Sequence, residues 1–412
     1  MALSSRRSNR GAILVNVAIG LMVFIGVTAF VVDYGVMWVG RGQAQNAADA
    51  GALAGAVAMA FDTNGWTDRT PTGPARTSAL RMTQLHWIWG QPPNVDVNTD
   101  VFFTGLPAAM CPADANGRTP CIRVDVYRNQ ARNNPLPAIF GLAVGLVNQG
   151  VRATATARVA VANASDCMKP WAIPDRWTDN VDTPQDNTWT LDDTFETGIK
   201  QGNNWTPYNP PDVYQAPSAT STGTGFTVAE HYGMEVRLKA GGPQDSISPG
   251  VYYPVRLPVY GGANTGGDDY RYSISHCNGL AIPIGTVLQS ENGNMVGPTS
   301  QGVADLIALD PTADWDPINK TIINSCAQAA TPCAPKSPRI VAIPLFDVAL
   351  YESTERQGLP EFKIVNILGF FLDDIQSGEV RGYLVEAPGL TVGGAPAIDP
   401  RSSFLNQIQL IQ

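Results

Sequence analysis

The apolar positions of this chain change their spacing several times, and each change predicts a different kind of element. From Ala12 to Val32 they are nearly continuous (AILVNVAIGLMVFIGVTAFVV), with Asn16 the one strongly polar interruption. As a helix this run is about 31 Å long, close to the roughly 30 Å hydrocarbon thickness of a bilayer. Lipid offers no partner to a backbone amide, so a helix is the form that satisfies such a segment. A cleaved secretory signal has a shorter apolar region, about 7–15 residues, and a small-x-small cleavage site. The sequence that follows here, Asp33-Tyr34-Gly35-Val36-Met37-Trp38, has no such site. A retained transmembrane helix over residues 12–32 is therefore predicted, preceded by a basic leader at 1–11.

Beyond it the apolar positions become small and helically spaced. Ala44, Ala47, Ala48, Gly51, Gly55 and Ala58 recur three or four apart and form one stripe along a helix. A stripe of this kind lets another helix approach backbone to backbone, from the same domain or from a neighbouring subunit. Gly40 and Gly42 weaken helix continuity between the two parts and predict a hinge. A polar, turn-rich stretch at 62–74 closes this helix, and residues 75–89 read as a short one. Period-two alternation predicts strands at Val95–Phe103, Cys121–Tyr127 and Gly150–Ala162. The apolar stretch Pro135–Val147, opening after prolines, predicts a helix. Residues 33–165 are thus expected to form a compact α+β domain.

Periodicity then fades. Residues 166–225 are expected to be a loop-rich linker, since from Asp175 to Gly225 the chain is dominated by Asp, Asn, Thr, Pro and Gly. Residues 226–412 read as β-rich, with strands at Met234–Leu238, Val251–Leu257, Tyr270–Ser275, Arg339–Leu350, Glu361–Phe371 and Glu379–Val385. One helix, Gln301–Leu309, interrupts them. The runs at 339–350 and 361–371 are apolar enough to be central. The fold class is therefore α+β, with a transmembrane helix leading into a small α+β domain and a β-rich, sandwich-like or barrel-like domain after it.

Composition sharpens this picture. Charged residues make up 15% of the 412 positions, against about a quarter in typical soluble proteins, while Gly (40) and Pro (32) are abundant. The net charge of −9 is uneven, because Arg6, Arg7 and Arg10 precede the apolar run and no acid accompanies them. By the positive-inside rule the N-terminus lies in the cytoplasm and residues 33–412 outside it. An acidic body has no electrostatic attraction for nucleic acid, so nucleic acid is not expected as a partner.

The run RRSNRGAILVNVAIGLMVFIGVTAFVVDYGVMWVGRGQAQNAADAGALAGA resembles the N-terminal region of Tad/Flp pilus-assembly proteins of the TadE/TadG-like group. The shared features are an Arg-Gly pair opening the apolar helix, an Asp just past it, and the alanine-rich QNAADAGALAGA stretch. The resemblance implies a single-pass inner-membrane protein with its bulk periplasmic or extracellular. It implies a structural or assembly role rather than an enzymatic one, with the bilayer and other Tad or pilin-like subunits as partners. Pilin-like members are cut after a glycine and carry Glu five residues later; here the glycine is Gly11 and the fifth residue is Asn16. An uncleaved, TadG-like anchor is the expectation, without the von Willebrand A domain of some members. A membrane-tethered binding module for glycan, or a surface adhesin, is the alternative.

Six cysteines, Cys111, Cys121, Cys167, Cys277, Cys326 and Cys333, all follow the apolar run. In an oxidising compartment an even number reads as disulfides, with fifteen pairings open. Short Pro-containing loops favour Cys111–Cys121 and Cys326–Cys333, which leaves Cys167 for Cys277. With no Cys-x-x-Cys pair, zinc is disfavoured. No catalytic, cofactor or metal residue is assigned. His276 beside Cys277 cannot share a proton with it on a strand, and His86 and His231 read as packed or surface residues. Asp310, Asp314 and Asp316, with Asp305 nearby, offer oxygen ligands that would suit calcium, yet turn and capping roles are the commoner use of such a sequence. Gly261–Gly267 lacks the Lys-Ser/Thr of a phosphate-binding loop.

Overall fold

A computed structural model of the chain describes residues 10–62, 64–104, 106, 109–112, 118–141, 145, 147–181, 188–202, 204–242, 245–258, 266–329, 333–334, 336–357 and 360–411, with the side chains of 10–12 left aside. It divides into two compact units, residues 1–159 with 408–412, and residues 160–407. Mixed α+β structure runs through both, with six helices among the described residues.

The first unit is built on one helix, α1 (Arg10–Phe61). Its N-terminal half has no protein cover: from Ile13 to Val31 the large apolar side chains are exposed, Phe24 by 72% and Phe30 by 70%. Burial begins at Val36 and is complete at Ala44, Ala47, Ala48, Ala52 and Ala56. The hinge expected at Gly40 and Gly42 is absent, because the helix continues through both. A Cβ at Gly40 would stand 2.7 Å from Leu136 Cδ1, so that glycine admits a neighbouring side chain instead of bending the helix.

The buried half of α1 packs on α2 (Pro74–Leu85), whose first turn is set by proline. Beside them stand β1 (Val101–Phe102) and β2 (Cys121–Arg128), paired antiparallel. A short hairpin, β3 (Leu136–Pro137) with β4 (Asn148–Gln149), precedes β5 (Val151–Val161), which runs antiparallel to β2 from Cys121↔Arg158 to Arg128↔Val151. Strand β5 alternates buried and half-buried residues, so its Val and Ala positions face α1. The helix expected at 135–147 is not found. Its first residues form β3, and 142–144 and 146 lie outside the described residues. Of the expected strand at 95–103, only Val101–Phe102 pairs.

In the second unit the strands close into a barrel. They are β6 (Trp171–Pro174), β7 (Glu235–Ala240), β8 (Val251–Arg256), β9 (Val287–Ser290), β10 (Ile340–Phe346), β11 (Phe362–Gln376) and β12 (Glu379–Val385). From β11 the pairings run to β10, β6, β8, β7 and β12, then back to β11. Strand β9 bridges β8 and β11 at one end. Strand β11 is buried on both faces from Ile364 to Leu372, which its unbroken apolar sequence requires. At Gly382 of β12 a Cβ would lie 2.3 Å from Phe370 Cζ, so the ring of β11 fills the space a side chain would take.

Besides the single turn Val228–His231, three longer helices complete this unit: α3 (Gly267–Ser275), α4 (Val296–Ala308) and α5 (Val348–Glu355). Helix α3 replaces the strand expected at 270–275, and α5 takes residues 348–350 from the strand expected at 339–350. At that second boundary the Asp347 side chain accepts from Leu350 N and caps the helix, ending the strand. Residues 166–225, expected to be a linker, contribute to the core here. Trp171, Trp177 and Phe195 are buried, with Trp177 edge-on to Phe195 at 5.5 Å between ring centroids.

Close packing of α1 on α2 rests on positions without side chains. A Cβ at Gly51 would sit 1.9 Å from Thr83 Oγ1 and 3.1 Å from Ala79 O. Thr83 cannot yield easily, since its hydroxyl already donates to Ala79 O at 2.8 Å. Gly51→Ala should therefore destabilise the protein by about 1–3 kcal/mol despite the better helix propensity of alanine. A thermal or denaturant melt in detergent checks this, and an unchanged or raised midpoint would contradict it.

Candidate functional site

The uncovered half of α1 is one helix long and apolar enough to cross a membrane, with a mean hydropathy of 2.5 over its most apolar window. Twenty residues at 1.5 Å each carry it about 30 Å from Ile13 to Val32. Where that run ends, Phe30, Tyr34 and Trp38 stand four apart on one face, with ring centroids 6.0 and 6.4 Å apart. All three are exposed. Rings in this position suit the layer between hydrocarbon and water, where an apolar body and a polar tip are both satisfied.

Asp33 lies within this aromatic group. Its carboxylate accepts from the backbone amides of Ile139 at 2.7 Å, Phe140 at 3.1 Å and Gly141. Desolvation alone would raise its pKa, but the hydrogen bonds from Phe140, Ile139 and Gly141 outweigh it and hold the group below the ordinary carboxylate range. Composition and periodicity mark Asp33 only as the residue that ends the apolar run. Its partners lie more than a hundred positions away and could not be named from spacing.

The six small residues of the stripe are all buried within the first unit. Gly51 and Gly55 face α2, and a Cβ at Gly55 would also meet Ile122 Cδ1 at 2.5 Å. Ala44, Ala47, Ala48 and Ala58 are no more than 2% exposed. At Gly51 and Gly55 the neighbour is the helix of the same domain.

Cysteines come together as Cys111–Cys121, Cys167–Cys277 and Cys326–Cys333, with Cα separations of 5.7, 4.2 and 5.5 Å. Cys277 therefore has no thiolate to offer as a nucleophile. His276 follows the end of α3, stacked on Tyr272 at 4.0 Å, and not on a strand. His86 caps α2 with Nδ1 2.9 Å from Met82 O. His231 is buried against Phe226 at 5.2 Å.

The acidic cluster serves the fold and does not converge on an ion. Asp310 is fully buried, accepting from Ser325 Oγ and Ser337 Oγ at 2.6 Å and from Cys326 N at 2.8 Å. Burial would raise its pKa, but these bonds and the Arg339 charge lower it overall. Asp316 closes a turn through Ile318 N and Asn319 N, and Asp305 pairs with Arg271 at 2.7 Å. Calcium at Asp310, Asp314 and Asp316 is thereby set aside, since these carboxylates turn to separate partners. No group of three or more metal-ligating side chains occurs among the described residues.

A cavity of about 300 Å³ opens in the second unit, lined by Arg176, Trp177, Trp189, Thr222, Thr224 and Glu230 among others. The Arg176 guanidinium lies 5.5 Å from the Trp189 ring centroid, and no ion pair to it is found among the described residues. The indole N–H groups of Trp177 and Trp189 and Nε of Arg176 are buried and have no hydrogen-bond partner among the described residues. A polar, aromatic cavity of this size can take a hydroxyl-rich ligand. Three tryptophans between Trp171 and Trp189, in a stretch otherwise without periodicity, were the signal for it in the sequence.

Beside the cavity, Asp175 is fully buried. Desolvation pushes its pKa up to about 7, against the lowering effect of hydrogen bonds from Arg176 N and Tyr214. A carboxyl raised in the folded state binds its proton more tightly there than in the unfolded chain. Its contribution to stability is therefore greatest below the unfolded value and falls as pH rises from about 4 towards 7. Asp175→Asn should flatten that part of the stability profile, measured as the unfolding midpoint against pH. An identical slope in the variant would contradict the assignment.

Residues 11–58 match the family described as putative Flp pilus-assembly TadE/G-like. No curated protein and no solved structure matches the chain. The matched segment spans the uncovered apolar half of α1, Asp33, and all six residues of the buried stripe. Through this segment, the chain carries the TadE/G-like N-terminal element of the Flp pilus-assembly family, on a helix able to anchor it in a membrane.

Proposed function

We propose that the protein is an exported structural or assembly component of a Tad-type pilus system, minor-pilin-like in its architecture, held in the cytoplasmic membrane by α1. The carrying observation is the two-part character of that helix within the family match. About 30 Å of it is apolar and uncovered, and the remainder is packed into a folded unit. Arg6, Arg7 and Arg10 before the apolar run support an N-terminus in the cytoplasm, and the disulfides suit an oxidising exterior. Other pilus subunits would meet the exposed half of α1, because the small-residue stripe is already occupied. The family is one of assembly proteins, which agrees with the structural roles found for the His, Cys and Asp candidates.

Deleting the coding sequence should abolish or strongly reduce surface pili counted by electron microscopy, with recovery on complementation. Unchanged piliation would remove the assembly role. A periplasm-active reporter fused at the C-terminus should be active, and activity confined to a cytosolic reporter would reverse the orientation.

The cavity of the second unit favours a second reading, a membrane-tethered binding module for glycan. The polar side chains of its lining, Thr222, Thr224 and Glu230, would hydrogen-bond saccharide hydroxyls beside the half-buried Trp189 ring. Full-length protein in detergent should bind one or more members of a bacterial surface-glycan panel, and Trp189→Ala should weaken that binding about tenfold or more. Flat titrations across the panel would remove this reading.

A further inference from the structure

We propose that the segment Ile139–Gly141, just past β3, is a second membrane contact, seated in the interfacial layer of the leaflet at which α1 emerges and fixed there by the carboxylate of Asp33. The inference rests on the reading of α1 as a membrane span.

Two attachments set the height of the hairpin along the helix. Asp33, the first residue beyond the apolar run, accepts the amides of Ile139, Phe140 and Gly141. Seven residues further, about 10 Å along the axis, Leu136 packs against the bare backbone of Gly40. The hairpin therefore descends along α1 from the Gly40 level to the Asp33 level, which is where hydrocarbon ends. Its side chains at that level are apolar and exposed, Ile139 by 48% and Phe140 by 44%, and Val147, just before β4, is 64% exposed. In sequence the connection 138–147 (AIFGLAVGLV) carries no charged or hydrogen-bonding side chain. Connections on a water-facing surface are rich in polar residues, and this one is not.

The same level of α1 presents Phe30, Tyr34 and Trp38, so Phe140 adds a fourth exposed ring to an aromatic interfacial group. One helix alone is free to tilt and rotate in a bilayer, whereas two contacts at the same depth restrict both. The backbone amides of residues 139–141 would be costly to bring to the edge of hydrocarbon unpaired. Asp33 removes that cost by accepting all three, while its negative charge is compensated by the three N–H dipoles. Asp33 is thus a positioning residue for the hairpin.

The test uses full-length protein in phosphatidylcholine–phosphatidylglycerol vesicles. Phe140→Cys is labelled with an environment-sensitive nitrobenzoxadiazole probe, and the six native cysteines are paired. Lipids with nitroxides at shallow acyl positions should quench this probe roughly threefold more than one at Thr72→Cys, at the far end of α1. Adding Asp33→Ala should lower the Phe140 signal to the Thr72 level, with Asp33→Asn between the two, while resistance to alkaline extraction stays unchanged. Equal quenching at the two positions, in protein that resists alkaline extraction, would overturn the inference and leave the anchor intact. Protein that washes off the vesicles would overturn both. Unchanged Phe140 quenching in Asp33→Ala would remove Asp33 from the proposal.

Discussion

Everything in the first unit follows from one helix having to satisfy two surroundings. For about 30 Å, α1 presents Leu, Ile, Val, Met and Phe in every direction, an arrangement that water penalises and lipid accepts. Beyond Val36 the same helix presents Ala and Gly, and a second helix and a sheet settle against it. Small residues contribute little apolar area each, so the packed half gains its stability from close approach: many backbone and methyl contacts at short range. That gain exists only while positions such as Gly51 and Gly55 stay without a side chain. Both characters lie on a single continuous helix, so the folded unit begins where the apolar run ends.

Asp33 stands at the change itself. A carboxylate there would ordinarily favour bulk water, yet it turns back to three backbone amides of a distant loop. The interaction joins the end of the apolar run to residues 139–141 and converts a polar obligation on each side into a mutual one. In the second unit a comparable arrangement is made with opposite signs. Arg339, 2% exposed, donates to the carbonyls of Leu372, Asp310, Ala313 and Asp373, and the Asp310 side chain gathers Ser325, Ser337 and the amide of Cys326. Buried charge is tolerated at Arg339 and Asp310 because hydrogen-bond partners surround both. An acidic sequence such as DPTADWD thereby becomes a fastening of loops and not a cation site.

The barrel shows where local pattern and tertiary need diverge. Strands β10 and β11 were legible because both are buried on both faces over most of their length and continuous apolar runs record that directly, and β12 because its buried positions alternate. Residues 270–275 were not. Tyr270, Ser273 and Ile274 are buried at helical spacing, but over so few positions Tyr-Arg-Tyr-Ser-Ile-Ser also alternates. The long stretch 166–225 looked unstructured because its buried residues are single aromatics held by the barrel and not a periodic face. Trp171, Trp177 and Phe195 acquire their meaning from what surrounds them.

By itself the sequence determined an apolar run long enough to cross a membrane, the small-residue stripe, the α+β succession and the family likeness of the first fifty-odd residues. Each of these depends on interactions between neighbours a few positions apart or on the length of an apolar run. Tertiary structure alone decided that the stripe is occupied within its own unit, that α1 passes Gly40 and Gly42 without bending, and that the β-rich unit closes into a barrel. It also decided that Asp33 grips a loop and that Arg176, Trp177 and Trp189 frame a cavity. These features join positions far apart in the chain, and their geometry is set by which backbone groups and apolar surfaces remain unsatisfied once the local elements have formed.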